Sequence, residues 1–226
     1  MRTWLQGAYL LMMVAIYPAQ EIQTPVAVPA EEEPHHHLVL KNEYVMVLRV
    51  KLPAGERTGY HIHSRDNVAL RLADVEVTDQ VPGQPEGPLE RQKQGYISLR
   101  TLRGITLTHR VNNVGRGEYD VLDVELLQRP EHAAGEAAAP VAAENPSARV
   151  YNWKLGPGEA SPMHAHGRPY LIVAVTDMKL KMIGPDGQTS EHEIKAGDIH
   201  WVDGRVTHSL ANAGAVAGQI TEIEMK

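Results

Sequence analysis

The sequence predicts an all-β protein built from two copies of one domain. Three observations predict it: strand-like runs of Val, Ile, Leu and Tyr recur along the chain, no long amphipathic helical pattern interrupts them, and landmarks of the first half return about 100 residues later. Leu52-Pro53-Ala54-Gly55-Glu56 returns as Leu155-Gly156-Pro157-Gly158-Glu159. His61 and His63 return as His164 and His166, and His109 with Asn113 and Gly115 returns as His208 with Asn212 and Gly214. A repeat of that period marks a duplicated domain, because solenoid units are shorter.

In chain order, residues 1–19 read as a secretory signal. Arg2 gives the positive start, Ala8 to Ile16 the apolar run and Pro18-Ala19-Gln20 a cleavage point. That run is too short for a stable membrane span and places the protein in the periplasm or outside the cell. Residues 20–37 are rich in Pro, Ala and Glu and read as a flexible segment, with His35-His36-His37 as a surface cluster. The first domain then covers residues 38–128. Its strands are read from Leu38, Tyr44 to Val50, Gly55 to His63, Val68 to Val77, Gly95 to Leu99, Gly104 to Arg110 and Tyr119 to Leu127. Residues 129–147, dominated by Ala, Pro and Glu, read as a linker. The second domain, residues 148–226, carries strands over Arg149 to Leu155, Tyr170 to Met182, Glu191 to Ile194, Asp198 to Val202 and Gln219 to Met225.

Composition removes several functions. A net charge of −6 without a Lys/Arg stripe excludes a nucleic-acid binder. The absence of Cys excludes disulfides, Cys zinc sites and thiol catalysis. What remains is histidine chemistry. Alternate residues of a strand share a face roughly 6 to 7 Å apart, so His164 with His166, and His61 with His63, can each converge on one metal ion. His208 and His109 supply a third imidazole, and three His nitrogens with one open side form a catalytic type of metal site. Without a metal, each unpaired imidazole in an apolar interior costs about 1 to 3 kcal/mol. Arg65 and Arg71 would oppose a cation in the first domain if they faced inward. His200 reads as an edge residue or a group near the metal ligands, Trp153 and Trp201 as packing or pocket-mouth residues, and Asn113 and Asn212 as turn-holding residues.

The spacing resembles the cupin superfamily, whose first motif runs Gly, five residues, His-x-His and then a Glu, and whose second ends in His with Asn four residues on. Gly55, His61, His63, His109 and Asn113 match it, as do Gly158, His164, His166, His208 and Asn212. The resemblance implies a bicupin, two tandem double-stranded β-helix (jelly-roll) barrels. The family's Glu is missing from both halves. Asn67 or Val68 stands there in the first and Tyr170 or Leu171 in the second, so the expectation is a three-histidine centre holding a divalent transition metal (Fe, Zn, Ni, Cu or Mn), with Mn affinity reduced most. Tyr170 could donate a hydrogen bond or proton beside the metal or pack in the wall. The functional expectation is an extracytoplasmic, metal-dependent, dioxygenase-like enzyme acting on a small oxygen-rich organic molecule; the alternative is a non-catalytic bicupin binding a small ligand or partner protein. Pairing through the barrel sheets would give a homodimer, unless the two halves cover those sheets for each other.

Overall fold

Strands buried on both faces organise the molecule, whose structure, a computed structural model, describes residues 26–130 and 139–226. The expected signal at residues 1–19 lies outside the described residues. Barrel 1 contains β1 (Val28–Pro29), β2 (His36–Lys41), β3 (Val45–Leu52), β4 (His61–His63), β5 (Asn67–Arg71), β6 (Val75–Gln80), β7 (Glu90–Gln92), β8 (Ile97–Arg100), β9 (Leu107–Asn113) and β10 (Tyr119–Leu126). Two facing sheets result, ordered β1-β4-β9-β6-β7 and β2-β3-β10-β5-β8. Barrel 2 contains β11 (Ala143–Glu144), β12 (Ala148–Leu155), β13 (His164–His166), β14 (Tyr170–Ala174), β15 (Met178–Ile183), β16 (Thr189–Ile194), β17 (Ile199–Val202), β18 (Val206–Asn212) and β19 (Gly218–Met225). Its sheets run β11-β12-β19-β14-β17 and β13-β18-β15-β16, repeating the strand order of the first barrel.

Period-two alternation divides each long strand between two cores. Along β10, Leu122, Val124 and Leu126 point one way and Tyr119, Val121, Asp123 and Glu125 the other; along β19, Ile223 and Met225 oppose Ile220, Glu222 and Glu224. The first sets meet Val45, Val47, Val68, Leu70, Val150, Leu171 and Val173 in one apolar core shared by both barrels. The halves therefore cover their large sheets for each other. Polar ties reinforce the seam: Ser147 Oγ donates to Asp66 Oδ2 at 2.5 Å, and Gln94 Nε2 donates to the Val175 carbonyl at 3.0 Å. At Gly95 the φ of +78° requires glycine in the turn, and a Cβ there would sit 2.2 Å from Gln219 Nε2 of the other barrel and displace that amide.

Three sequence expectations need correction. Residues 26–37 are not a tether: β1 pairs in parallel with β4, Ala30–Glu32 form one 3-10 turn with Ala30 fully buried, and His36 is buried. Residues 129–147 are not all linker, since β11 pairs with β12 and extends the barrel 2 sheet. The runs Val68 to Val77 and Tyr170 to Met182 each break into two strands that belong to opposite sheets. The corner residues Asp74 and Asp177 accept the backbone N–H groups of Gln94 and Ala196 at 2.9 Å, which fixes a bend without Gly or Pro.

Candidate metal centres

The motif residues explain the local geometry. Gly55 and Gly158 adopt φ of +80° and +75°, the left-handed conformation that a side chain disfavours, and so turn the chain into the His-x-His strand. Asn212 Nδ2 donates to the Leu155 carbonyl at 2.9 Å and the Val216 carbonyl at 2.8 Å, while its Oδ1 accepts from Gly214 N at 2.9 Å. Asn113 repeats this with Leu52, Gly117 and Gly115, so both asparagines hold turns. Antiparallel pairing then puts His164 opposite His208, and His61 opposite His109.

In barrel 2 the three predicted imidazoles converge, and the facing sheet adds a carboxylate that the sequence reading did not anticipate. Glu222, on β19, brings Oε2 to 2.9 Å from His164 Nε2 and Oε1 to 3.2 Å from His166 Nε2 and 2.9 Å from His208 Nε2. Ligating atoms of these four buried residues lie within 4.8 Å of one another, a group able to hold a metal ion. The opposite ring nitrogens are pinned, His164 Nδ1 to the Pro162 carbonyl at 2.9 Å and His166 Nδ1 to Glu224 Oε2 at 2.8 Å, an arrangement that aims Nε2 inward. Trp153 Nε1 donates to Glu222 Oε2 at 2.6 Å. Burial disfavours the Glu222 carboxylate, but the three imidazoles outweigh it and hold its pKa well below the usual carboxylate range. Burial likewise opposes the His166 charge, yet its bonds to Glu222 and Glu224 raise its pKa to about 9. Tyr170 lies beside the centre: its ring stacks on His166 at 3.9 Å, its hydroxyl is buried with no hydrogen-bond partner among the described residues, and burial pushes its pKa up.

Barrel 1 gathers more imidazoles. The rings of His61, His63 and His109 lie 4.6 to 5.3 Å apart, and His36 enters from β2 with its ring 4.5 Å from His61. Ligating atoms of His36, His61 and His63 fall within 4.8 Å of one another, as do those of His63, Asp123 and Glu125. Outer partners again fix the rings: Gly59 O at 3.0 Å for His61 Nδ1, Glu125 Oε1 at 2.8 Å for His63 Nδ1, Asp79 Oδ1 at 3.3 Å for His109 Nδ1 and Glu33 Oε2 at 2.6 Å for His36 Nδ1. His109 Nε2 is then buried without a partner, as expected of a nitrogen whose natural partner is an ion. Burial first, and the neighbouring imidazoles second, drive the His61 pKa down to about 2, a neutral ring suited to ligation. Asp123 stands at the strand position equivalent to Glu222, and burial raises its pKa.

Access separates the two centres. A cavity of about 160 Å³ reaches the histidines of barrel 1, lined also by Val50, Ala69, Arg71, Arg100 and Tyr119. Where barrel 1 has Leu48 and Val50 on β3, barrel 2 has Tyr151 and Trp153 on β12, and these rings fill its interior around His164 and His166. Of the two arginines weighed from sequence, Arg71 faces this cavity, while Arg65 pairs with Glu125 at 3.2 Å. His200 is exposed and lies away from the histidine cluster, on the wall of a groove with Ile172 and Met182. Trp201 stacks on Tyr44 across the seam.

Two facing sheets per half, a buried histidine cluster between them and the repeat of that plan define a bicupin. The chain belongs to the cupin superfamily. No family model matches it. Over 91 residues, 40% of this chain, it is 30% identical to a beta-alanine degradation protein of Pseudomonas aeruginosa and covers 95% of that protein. Among solved structures it is similar to a cupin 2 conserved barrel domain protein from Leptotrichia buccalis (TM-score 0.51, 12% identity, covering 84% of this chain and 87% of that one). It is also similar to a variant of salicylate 1,2-dioxygenase from Pseudoaminobacter salicylatoxidans (TM-score 0.53, 12% identity, 80% and 70%) and to oxalate decarboxylase from Bacillus subtilis, described with Mn(II) centres (TM-score 0.52, 14% identity, 81% and 69%). At these identities the structural likeness concerns the fold.

Proposed function

We propose that this chain is a metal-dependent, oxygenase-type bicupin in which barrel 1 reacts with a small oxygen-rich organic molecule and barrel 2 holds a closed metal centre. The observation that carries the reading is the cavity of about 160 Å³ ending on the barrel 1 histidines, set against the ring-filled interior of barrel 2. The donor sets fit divalent Fe, Zn, Ni, Cu or Mn, and Glu222 removes the sequence-based argument against Mn in barrel 2. A bound ion of this kind supplies Lewis-acid chemistry and, if redox-active, reactivity toward O₂. The chain supplies the rest. Gly59, Glu125 and Asp79 keep the three imidazoles turned inward, and the buried Asp123 carboxyl, pushed toward its protonated form, can hold a proton at the cavity wall. The apolar run at residues 1–19 supports an extracytoplasmic location, which cell fractionation tests.

The closed second centre favours a non-catalytic, structural role for that half, so the test treats the barrels separately. Protein purified without chelators is assayed for metal by mass spectrometry as wild type, as Glu222→Gln and as the His61→Ala/His63→Ala pair. Each change is expected to remove one equivalent, the first by weakening affinity about a hundredfold. Oxygen uptake on diketones, flavonols and hydroxylated aromatic acids should vanish in the His61→Ala/His63→Ala protein. If neither centre retains stoichiometric metal, the enzymatic reading is wrong.

A further inference from the structure

The barrel 1 cavity carries two guanidinium groups that form no ion pair among the described residues. Arg71, on β5, is buried: its Nε donates to Gln92 Oε1 at 2.6 Å and its Nη1 to Ser98 Oγ at 3.1 Å and the Ala69 carbonyl at 3.2 Å, all uncharged acceptors. Arg100, on β8, is half-buried and its side chain makes no hydrogen bond or ion pair within the described residues. Both line the cavity that reaches His61, His63 and His109. Of the carboxylates sharing that wall, Asp79 accepts from His109 and feels the charge of both arginines without pairing with either, Asp123 is buried beside His63, and Glu90 is exposed and accepts from Gln92. A buried, unpaired cation is costly and persists where a ligand supplies the counter-charge. Planar guanidinium matches a carboxylate in charge and in fork geometry.

The duplicated half is an internal control. Arg71 is the last residue of β5, and the last residue of the equivalent β14 is Ala174; Arg100 ends β8, and Val202 ends the equivalent β17. Arginines and a cavity that reaches the histidines thus occur together in barrel 1, whereas the pocket of barrel 2 beside Ile172, Ala174 and Met182 stops short of His164, His166 and His208 and is lined by no arginine.

We propose that barrel 1 recognises a small carboxylic acid, with Arg71 and Arg100 holding the carboxylate. The cavity limits the acid to about the size of a benzene ring. This deepens the reading of barrel 1 as the reacting site and rests on it. Arg71 also ties β5 to β7 and β8, so Arg100 is the cleaner residue to change.

Acetate, malonate and benzoate, with acetamide, malonamide and benzamide as neutral counterparts, are titrated calorimetrically into the full chain, both metal-free and metal-loaded. The acids are expected to bind and the amides to bind at least about tenfold more weakly; Arg100→Met should cost the acids about tenfold, Arg100→Lys less, and the exposed-site control Arg205→Met nothing. Circular dichroism verifies that each variant is folded. Amides binding as well as acids, or acids binding Arg100→Met as well as wild type, would overturn the proposal; the latter would place the acid on the ion alone. Metal assays read the other question. Stoichiometric metal without carboxylate binding sinks this inference alone, and Arg100-dependent carboxylate binding without metal sinks the enzymatic reading alone.

Discussion

Glu222 accepts from Trp153 and faces three imidazoles while fully buried, and in the metal-free protein its charge is met by the proton that it and Glu224 hold on His166. That pairing sets the pH response. His166, raised to about 9, contributes stability that is complete below its unfolded value of about 6.5 and is lost as pH climbs through 9; His63, lifted by Glu125 against its burial, acts in the same direction. His61, held at about 2 by burial, and His109, lowered chiefly by burial, contribute stability present above about 6.5 and lost as pH falls. The depressed Glu222 and Glu33 add to the acid-side loss below their unfolded values of about 4.5. Chelator-treated protein should therefore show a bell of melting temperature against pH with its top near about 6.5. Glu224→Gln should move the alkaline limb to lower pH, because it removes one of the acceptors that raise His166. Scanning calorimetry from pH 4 to 10 measures both, and a melting temperature still rising at pH 9 would contradict the assignment.

At the scale of the strand, β10 and β19 are the informative elements because each faces two buried environments. Ile223 lies fully buried in the core shared by the barrels, between two carboxylates that face the barrel 2 centre. Ile223→Ala should cost about 2 to 5 kcal/mol in urea unfolding, whereas Glu193→Ala on the exposed β16 should stay within about 0.5 kcal/mol; equal effects would mean that the shared core is not where β19 gains its stability. This double burial also explains what the sequence concealed. The His-x-His pairs, the positive-φ glycines and the turn asparagines were legible, since each is a local device with its own residue requirement. Asp123-Val124-Glu125 and Glu222-Ile223-Glu224 look like half-exposed strands, for an acidic residue alternating with an apolar one normally faces water. Only the pairing of the sheets reveals that the acidic face is interior, although the recurrence of the pattern in both halves was a usable clue. His36 was hidden similarly: its burial follows from β2 packing on β3 and from Glu33 accepting its Nδ1, neither of which a run of three histidines announces.

For the whole molecule, the shared core couples barrels whose interiors are otherwise separate. Leu52 lies in the barrel 1 interior with Val75, Val77 and Val121, whereas Trp153 and Trp201, the two tryptophans among the described residues, belong to barrel 2. If barrel 1 opened, Val45, Val47, Val68, Leu70 and Leu122 would leave the core, and the large sheet of barrel 2 would present Val150, Leu171, Val173 and Ile223 to water. Exposing such a continuous apolar face makes a half-unfolded state unfavourable, so unfolding should be a single cooperative transition despite the chain's two-barrel architecture. Leu52→Ala, which removes a fully buried side chain, should destabilise the protein by about 2 to 5 kcal/mol. The midpoint read by tryptophan fluorescence should fall with the midpoint read by far-ultraviolet circular dichroism. A tryptophan transition that stays at its wild-type denaturant concentration while part of the dichroism signal is lost earlier would show the barrels unfolding independently. The same experiment repeated with metal-loaded protein should raise both midpoints together, because an ion held by Glu222 and its three imidazoles stabilises barrel 2, and the shared core passes that gain to barrel 1.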